Sequence, residues 1–242
     1  CVRECPQGAK SFQNDVDRTV RLIDSASKVV GSIAPSFAAV YSDKEQRRLP
    51  SALKKLGFSY VTETSAAAFA VAELSARHAS AAPDRPHIFS ACPAVVSYVE
   101  KYKPELVNAL VPIASPMIFH ARMLKHRFGK ASRVVFIGPC IAKKAEAARP
   151  EHDGLVDSVL TFSELGQWLD RENISLDSLE ESPFDEGSGG DCRYYPLPGG
   201  AFRTAKLPND PFGERLVEAS GFEQVLDALE SNRASPGGRR RG

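Results

Sequence analysis

The sequence predicts an α/β chain, with mostly parallel sheets flanked by helices, built as one large domain or two lobes. Three observations carry this. Short β-rich runs alternate with helical stretches along most of the chain. Two apolar runs, "HIFSACP" and "VVFIGPC", lead straight into a cysteine, and in open α/β sheets the carboxyl ends of strands are where sites form. The length of 242 residues, 43% hydrophobic and 25% charged, suits a sizeable soluble core.

The elements follow in order. Val16, Val20, Ile23 and Ala26 recur at helical spacing, which predicts a helix over 15–26. "KVVGSIAP" (28–35) is a β-rich run closed by Pro35. "PSALKKLGF" (50–58) reads as a short helix with Pro50 at its start and Gly57 at its end. "SYVTE" (59–63) is a strand, and the Ala-rich 64–80 is a helix capped by Thr64 or Ser65. Residues 84–93 form a strand ending at Cys92, and 94–102 and 104–110 are helical. Ser115, Pro116 and Gly129 bound a helix over 115–129. Residues 132–140 are an apolar strand ending at Cys140. Residues 156–173 give a strand and then a helix capped by Thr161 or Ser163, with Glu164 in the first turn. The polar, Gly/Ser-rich 173–192 is the candidate mobile loop. "YYPLPGGAFRTA" (194–205) is tight, and 213–220 and 222–231 are helices split by Gly221.

Composition excludes several function classes. A formal net charge of +1 selects neither nucleic acid nor an anionic membrane. No stretch approaches the roughly 18 apolar residues of a membrane span, and no signal peptide is visible. Five cysteines are too few and odd in number for a secreted disulfide scaffold. They point to a cytoplasmic setting, where cysteines serve metals or redox chemistry. The histidines show no paired metal spacing, and "GSGG" at 187–190 lacks the Lys-Ser/Thr of a phosphate loop. His120, between apolar neighbours on a helix, is expected to be packed rather than a ligand.

The chain opens "CVRECPQGAK". Cys1, Cys5 and Pro6 match the end of the bacterial ferredoxin run C-x2-C-x2-C-x3-C-P, whose last cysteine ligates the other cluster in two-cluster ferredoxins. Residues 1–10 are therefore expected to end a 4Fe–4S ferredoxin-type domain whose other ligands lie upstream. Residues 232–242, with Arg239, Arg240 and Arg241 after a Ser-Pro-Gly-Gly run, are expected to be a disordered tail. By spacing alone, Cys92 and Cys140 are either thiols facing one centre or small buried hydrophobes.

"FSACPAVVSYVEKYKPEL", "ASPMIFHARMLKHRFG", "VVFIGPCIAKKAEA" and "VDSVLTFSELGQWLD" together resemble the C-terminal domain of the iron-only hydrogenase large subunit. The resemblance covers roughly residues 11–231. It implies two lobes, meeting near residue 130, with a cluster cleft between them. It also implies a 4Fe–4S cubane joined to a diiron unit and held by four cysteines in three loops. Cys92 matches the ligand of the first loop, and Ala91 stands where the family has a proton-shuttling cysteine. Val95 lies at a position usually held by Trp. Pro139, Cys140, Lys143 and Lys144 match the second loop. In the family, the lysine matched by Lys143 contacts the diiron unit and the glutamate matched by Glu146 lies on the proton path. Without the resemblance, "AKKAE" reads as a solvated charge run. In the third loop, Leu197 and Ala201 replace both cysteine ligands around Pro198-Gly199-Gly200.

Cys192 is a candidate third thiol and Asp191 a candidate oxygen ligand beside it; a surface aspartate and an idle loop cysteine are the alternatives. The expected function is an iron–sulfur redox, electron-transfer or sensory module without hydrogen turnover, because the missing thiols leave no titratable group at the shuttle position. Its expected partners are an upstream ferredoxin module and fused signalling domains. The alternatives are an active hydrogenase with unusual ligation and a metal-free interaction domain.

Overall fold

The computed structural model describes residues 6–187, 190–197, 199–204 and 217–231. Cys1, Cys5, the tail beyond 231, residues 213–216 of the expected helix and the side chain of Asp191 lie outside them. The chain divides into two compact units, one of residues up to Thr64 with Met117–Gly187, the other of Ser65–Pro116 with the segments after 187. A single boundary near residue 130 does not describe this division, because residues 133–138 return to pair with the first strand.

The first unit is built on a parallel sheet in the order β2-β1-β3-β4. Its strands are β1 (Val29–Ile33), β2 (Tyr60–Glu63), β3 (Arg133–Gly138) and β4 (Ser158–Thr161). Every residue of β1 and β4 is buried, as near-continuous apolar runs in covered parallel sheets require. Gly31 in β1 pairs with Val61 and Val135, and the Phe58 ring lies 3.2 Å from where its Cβ would stand.

Helices α1 (Val16–Ser25) and α2 (Asp43–Lys55) begin this unit. The second starts seven residues before the predicted Pro50. Ser42 and Glu45 form a capping box there, and Pro50 sits inside the helix on its buried face with Leu49, Ala52 and Leu53. A cap this far upstream and four buried side chains outweigh the hydrogen bond that an interior proline removes.

In the second unit lie α3 (Ser65–Ser80) and α4 (Pro93–Tyr102). Back in the sheet unit, α5 (Pro116–Phe128) begins at the predicted Pro116 and is followed by Gly129 at φ +87°. The short α6 (Ala142–Ala147) comes after β3, and α7 (Phe162–Arg171) after β4. Thr161, not Ser163, caps α7, in a capping box with Glu164.

The predicted mobile segment is tied down as far as Gly187. Ser51 Oγ donates to the Glu180 carbonyl, Arg47 pairs with Glu181, and Lys54 pairs with Asp185, whose carboxylate also accepts from the Val61 N–H. Glu186 bridges to Thr62 on the outer edge of β2. A polar composition reads as a loose loop, but here the polar groups satisfy a sheet edge that would otherwise lie open.

The second unit is helical among its described residues. Ile88, Val99, Leu106, Ala109 and Leu229 form its core, drawn from the segment before α4, from α4 itself, the 3-10 turn Pro104–Ala109 and α9 (Phe222–Ser231). The expected strand over 84–93 is reduced to one parallel bridge between Ile88 and Leu110. Pro86 and Pro112 flank the two sides of that bridge, and proline cannot extend a ladder. The remaining helix, α8 (Gly200–Thr204), packs with α3 and the turn Gly190–Tyr194.

Candidate functional site

The strand order places a topological switch point between β1 and β3: from β1 the chain goes one way to β2, from β3 the other way to β4. Ligand crevices in open α/β sheets form outside the carboxyl ends at such a point. Cys140 stands there, two residues after β3, and is half-buried. The Ala34 N–H donates to the Ile137 carbonyl at 2.8 Å, which ties the loop after β1 to the end of β3. Gly138 permits this approach, since a Cβ there would lie 2.7 Å from the Phe136 ring and 3.1 Å from the Ala34 methyl.

The helix α6 that follows carries the matched lysines. Lys143 Nζ donates to Glu146 Oε2 at 2.7 Å, with side chains 12% and 8% exposed. Lys144 Nζ donates to Asp15 Oδ2 (2.6 Å), the Val159 carbonyl (2.7 Å) and Glu164 Oε1 (2.9 Å). Those are all three donors of an ammonium. The reading of "AKKAE" as a solvated run is therefore corrected: both lysines turn inward onto carboxylates supplied by other turns or elements. Burial pushes the Glu164 carboxyl up. Hydrogen bonds from the Thr161 and Asp15 N–H groups, Lys144 and the Thr161 hydroxyl outweigh it and hold the carboxyl below its ordinary value. The result is a fixed anion that holds Lys144 of α6, the helix following Cys140.

In the second unit, Cys92 is exposed at the N-cap of α4, with Pro93 in the first helical position and no side-chain capping bond. The Ser90 hydroxyl lies 2.7 Å from the carbonyls of both Val111 and Ile113, which pins the approach to Cys92. Val95, at the position of the family's Trp, packs against the unit's apolar core. Cys192 is half-buried in the turn Gly190–Tyr194.

The third loop is built on two glycines. Gly199 has φ +66°, and a Cβ on Gly200 would fall 1.8 Å from the Tyr194 carbonyl oxygen, so only glycine fits either position. The Arg203 guanidinium covers the Tyr194 ring at 4.1 Å. Burial pushes the Tyr195 hydroxyl well above its ordinary pKa. On this framework Leu197 is 54% exposed and Ala201 is the second residue of α8. Neither side chain binds iron.

The described residues do not fit a cubane held by four thiolates. The sheet unit contributes Cys140, and the second unit contributes Cys92 and Cys192. Within either unit, no three described His, Cys, Asp or Glu side chains gather as ligands. The buried His120 is packed, as its neighbours predicted: its ring is 1% exposed and Nδ1 lies 2.7 Å from Ser32 Oγ. Sequence reasoning missed Lys144 as an anchor, and only the capping signal of Thr161 and Glu164 hinted at one of its partners. No described helix is long and apolar enough to cross a membrane.

Comparison with known proteins gives the family and the fold. The family model "Iron only hydrogenase large subunit, C-terminal domain" matches residues 26–234. Iron hydrogenase 1 of Clostridium pasteurianum is 28% identical over 249 residues, spanning 91% of this chain and 43% of that protein. A relative named cytosolic Fe-S cluster assembly factor narfl, from Danio rerio, is 31% identical over 186 residues, 65% of this chain and 45% of its own. The apo FeFe hydrogenase HydA1 of Chlamydomonas reinhardtii superposes with a TM-score of 0.65 at 25% identity, over 80% of this chain and 57% of that one. The chain thus spans less than half the length of these curated relatives. On the family match and the shared fold, the chain belongs to the family of C-terminal domains found in iron-only hydrogenase large subunits.

Proposed function

We propose that this chain is an iron–sulfur module on the hydrogenase scaffold, which passes or senses electrons through a 4Fe–4S cluster and does not turn over hydrogen. Its candidate ligands are Cys140 from the sheet unit and Cys92 and Cys192 from the second unit, three thiolates where such clusters usually have four, and Lys143 is a candidate contact. One observation carries the reading. The third loop holds its glycine-dependent backbone while Leu197 and Ala201 present hydrocarbon where thiols would be needed. Ala91 adds to this, since an alanine beside Cys92 moves no proton. An upstream ferredoxin-type domain holding Cys1 and Cys5 exchanges electrons with the module, and fused signalling domains read its state in the cytoplasm. Neither nucleic acid nor membrane takes part.

The test is anaerobic preparation of the full chain with iron and sulfide analysis and low-temperature EPR. A cluster signal is expected that Cys92→Ser or Cys140→Ser abolishes. A signal intact in both variants overturns the ligand assignment, and a chain without iron supports a metal-free interaction domain instead. After maturation with a diiron cofactor, no hydrogen should evolve from a reduced dye; turnover overturns the non-hydrogenase reading.

The relatives named as Fe-S cluster assembly factors favour a second reading, in which the chain receives and hands on a cluster. Transfer of its cluster to an apo-ferredoxin faster than from free iron and sulfide would support that role.

A further inference from the structure

A cavity of about 370 Å³ lies against α5 in the sheet unit, lined by His120, Met123, Leu124, His126, Arg127 and Glu186. Its volume is at the small end of ligand sites. Leu124 is buried and Met123 is 42% exposed, so the wall is apolar inside and open on one side. His120 is the buried polar group within it. Its Nδ1 is engaged by Ser32 Oγ, which in turn lies 2.8 Å from Thr64 Oγ1. Its Nε2 has no hydrogen-bond partner among the described residues, yet is not sealed off from solvent.

Charge narrows the ligand class. Burial lowers the His120 pKa to about 4, so the imidazole is neutral at pH 7. Arg127 is paired with Glu186 and stacks over the Tyr60 and Phe128 rings at 5.3 Å and 5.2 Å. The rim charges are therefore already matched. A charged ligand in the depth of the cavity would lack a counter-charge, and no three described donors gather there for a metal ion. Whichever tautomer Ser32 selects, Nε2 either donates or accepts. A hydroxyl does both and suits either case.

We propose that this cavity is a binding site for a small, uncharged aromatic alcohol, with the ring against Met123 and Leu124 and the hydroxyl on His120 Nε2. The site is independent of the cluster reading and stands whether or not iron binds.

The experiment is a titration of the full chain at pH 7 with 2-naphthol, and with naphthalene as the hydroxyl-free control, read by long-range 1H–15N NMR of the histidine rings. 2-Naphthol should saturate one site and shift the His120 Nε2 resonance. Naphthalene should bind about 3- to 10-fold more weakly, the net worth of one hydrogen bond. Because His120→Leu disturbs the buried contact to Ser32, the main variant is Met123→Trp, at a partly exposed position. It fills the cavity and should weaken both compounds at least about 10-fold, or ~1.4 kcal/mol. Equal affinity for the two compounds, an unmoved His120 resonance, or indifference to Met123→Trp each overturn the proposal. So does the absence of saturable binding up to about 1 mM.

Discussion

Cys140 in the sheet unit and Leu197 in the second unit stand at corresponding kinds of place, each on a loop that the family resemblance marks for cluster ligation. The two loops are held in different ways. After Cys140, a lysine with all its donors satisfied ties α6 to β4, α7 and the residue preceding α1. Around Leu197, the hold is backbone geometry: a left-handed glycine, a second glycine pressed against a carbonyl, and a guanidinium over a tyrosine ring. The Cys140 loop keeps its thiol, and the Leu197 loop carries none at Leu197 or Ala201. Shape set by the main chain does not depend on the side chains displayed at Leu197 and Ala201. A buried ion cluster leaves far less freedom, because each member is needed to neutralise the others.

The largest expected effect breaks the support of the Cys140 loop. Lys144→Met leaves Asp15 and Glu164 buried without their cation and should cost about 3–5 kcal/mol, measured by urea unfolding. Adding Glu164→Gln should recover part of that loss, and no recovery would mean that the lysine acts through its stem packing instead.

Acid comes next and also acts on the sheet unit. His120 is neutral in both states above pH 6.5. Between 6.5 and about 4 the unfolded chain binds a proton that the folded chain refuses, so stability should fall by up to about 3 kcal/mol. His120→Asn should flatten that window. Glu164, whose folded pKa is depressed, works lower down: its contribution is present above pH 4.5 and is lost as pH falls further. A stability profile unchanged by His120→Asn between pH 6.5 and 4 would remove the assignment.

Two smaller changes sharpen the Leu197 loop. Gly200→Ala drives a methyl into the Tyr194 carbonyl and should cost about 1–3 kcal/mol, with faster amide exchange in α8 and α3 and none added in the sheet strands. Leu197→Ser, at an exposed position, should change stability by less than about 0.5 kcal/mol. A larger loss would show that Leu197 has become a packing residue, not a mere replacement for a thiol.

Much of the fold was legible in the chain. The helix bounded by Pro116 and Gly129 and the capping box of Thr161 and Glu164 are local signals, read over three or four residues, and the structure has them where expected. Local signals misled where burial outweighed them. Pro50 read as a helix start but lies on the buried face of a helix begun at Ser42. The apolar run before Cys92 read as a strand but finds only one partner, at Leu110.

By itself the sequence determined the α/β class, the placement of Cys92 and Cys140 after apolar runs, and the absence of thiols at Ala91, Leu197 and Ala201. Those are properties of composition and short-range order, and no folding can add a sulfur atom. Only the tertiary structure decided that Lys144 is an anchor rather than a surface charge, since its partner Asp15 is 129 positions away. It alone decided that residues 174–187 close a sheet edge, and that His120 meets Ser32 across 88 positions and borders a cavity. Such pairings depend on which segments the sheet order brings together, and strand order is set by the burial of whole faces, not by any window of the chain.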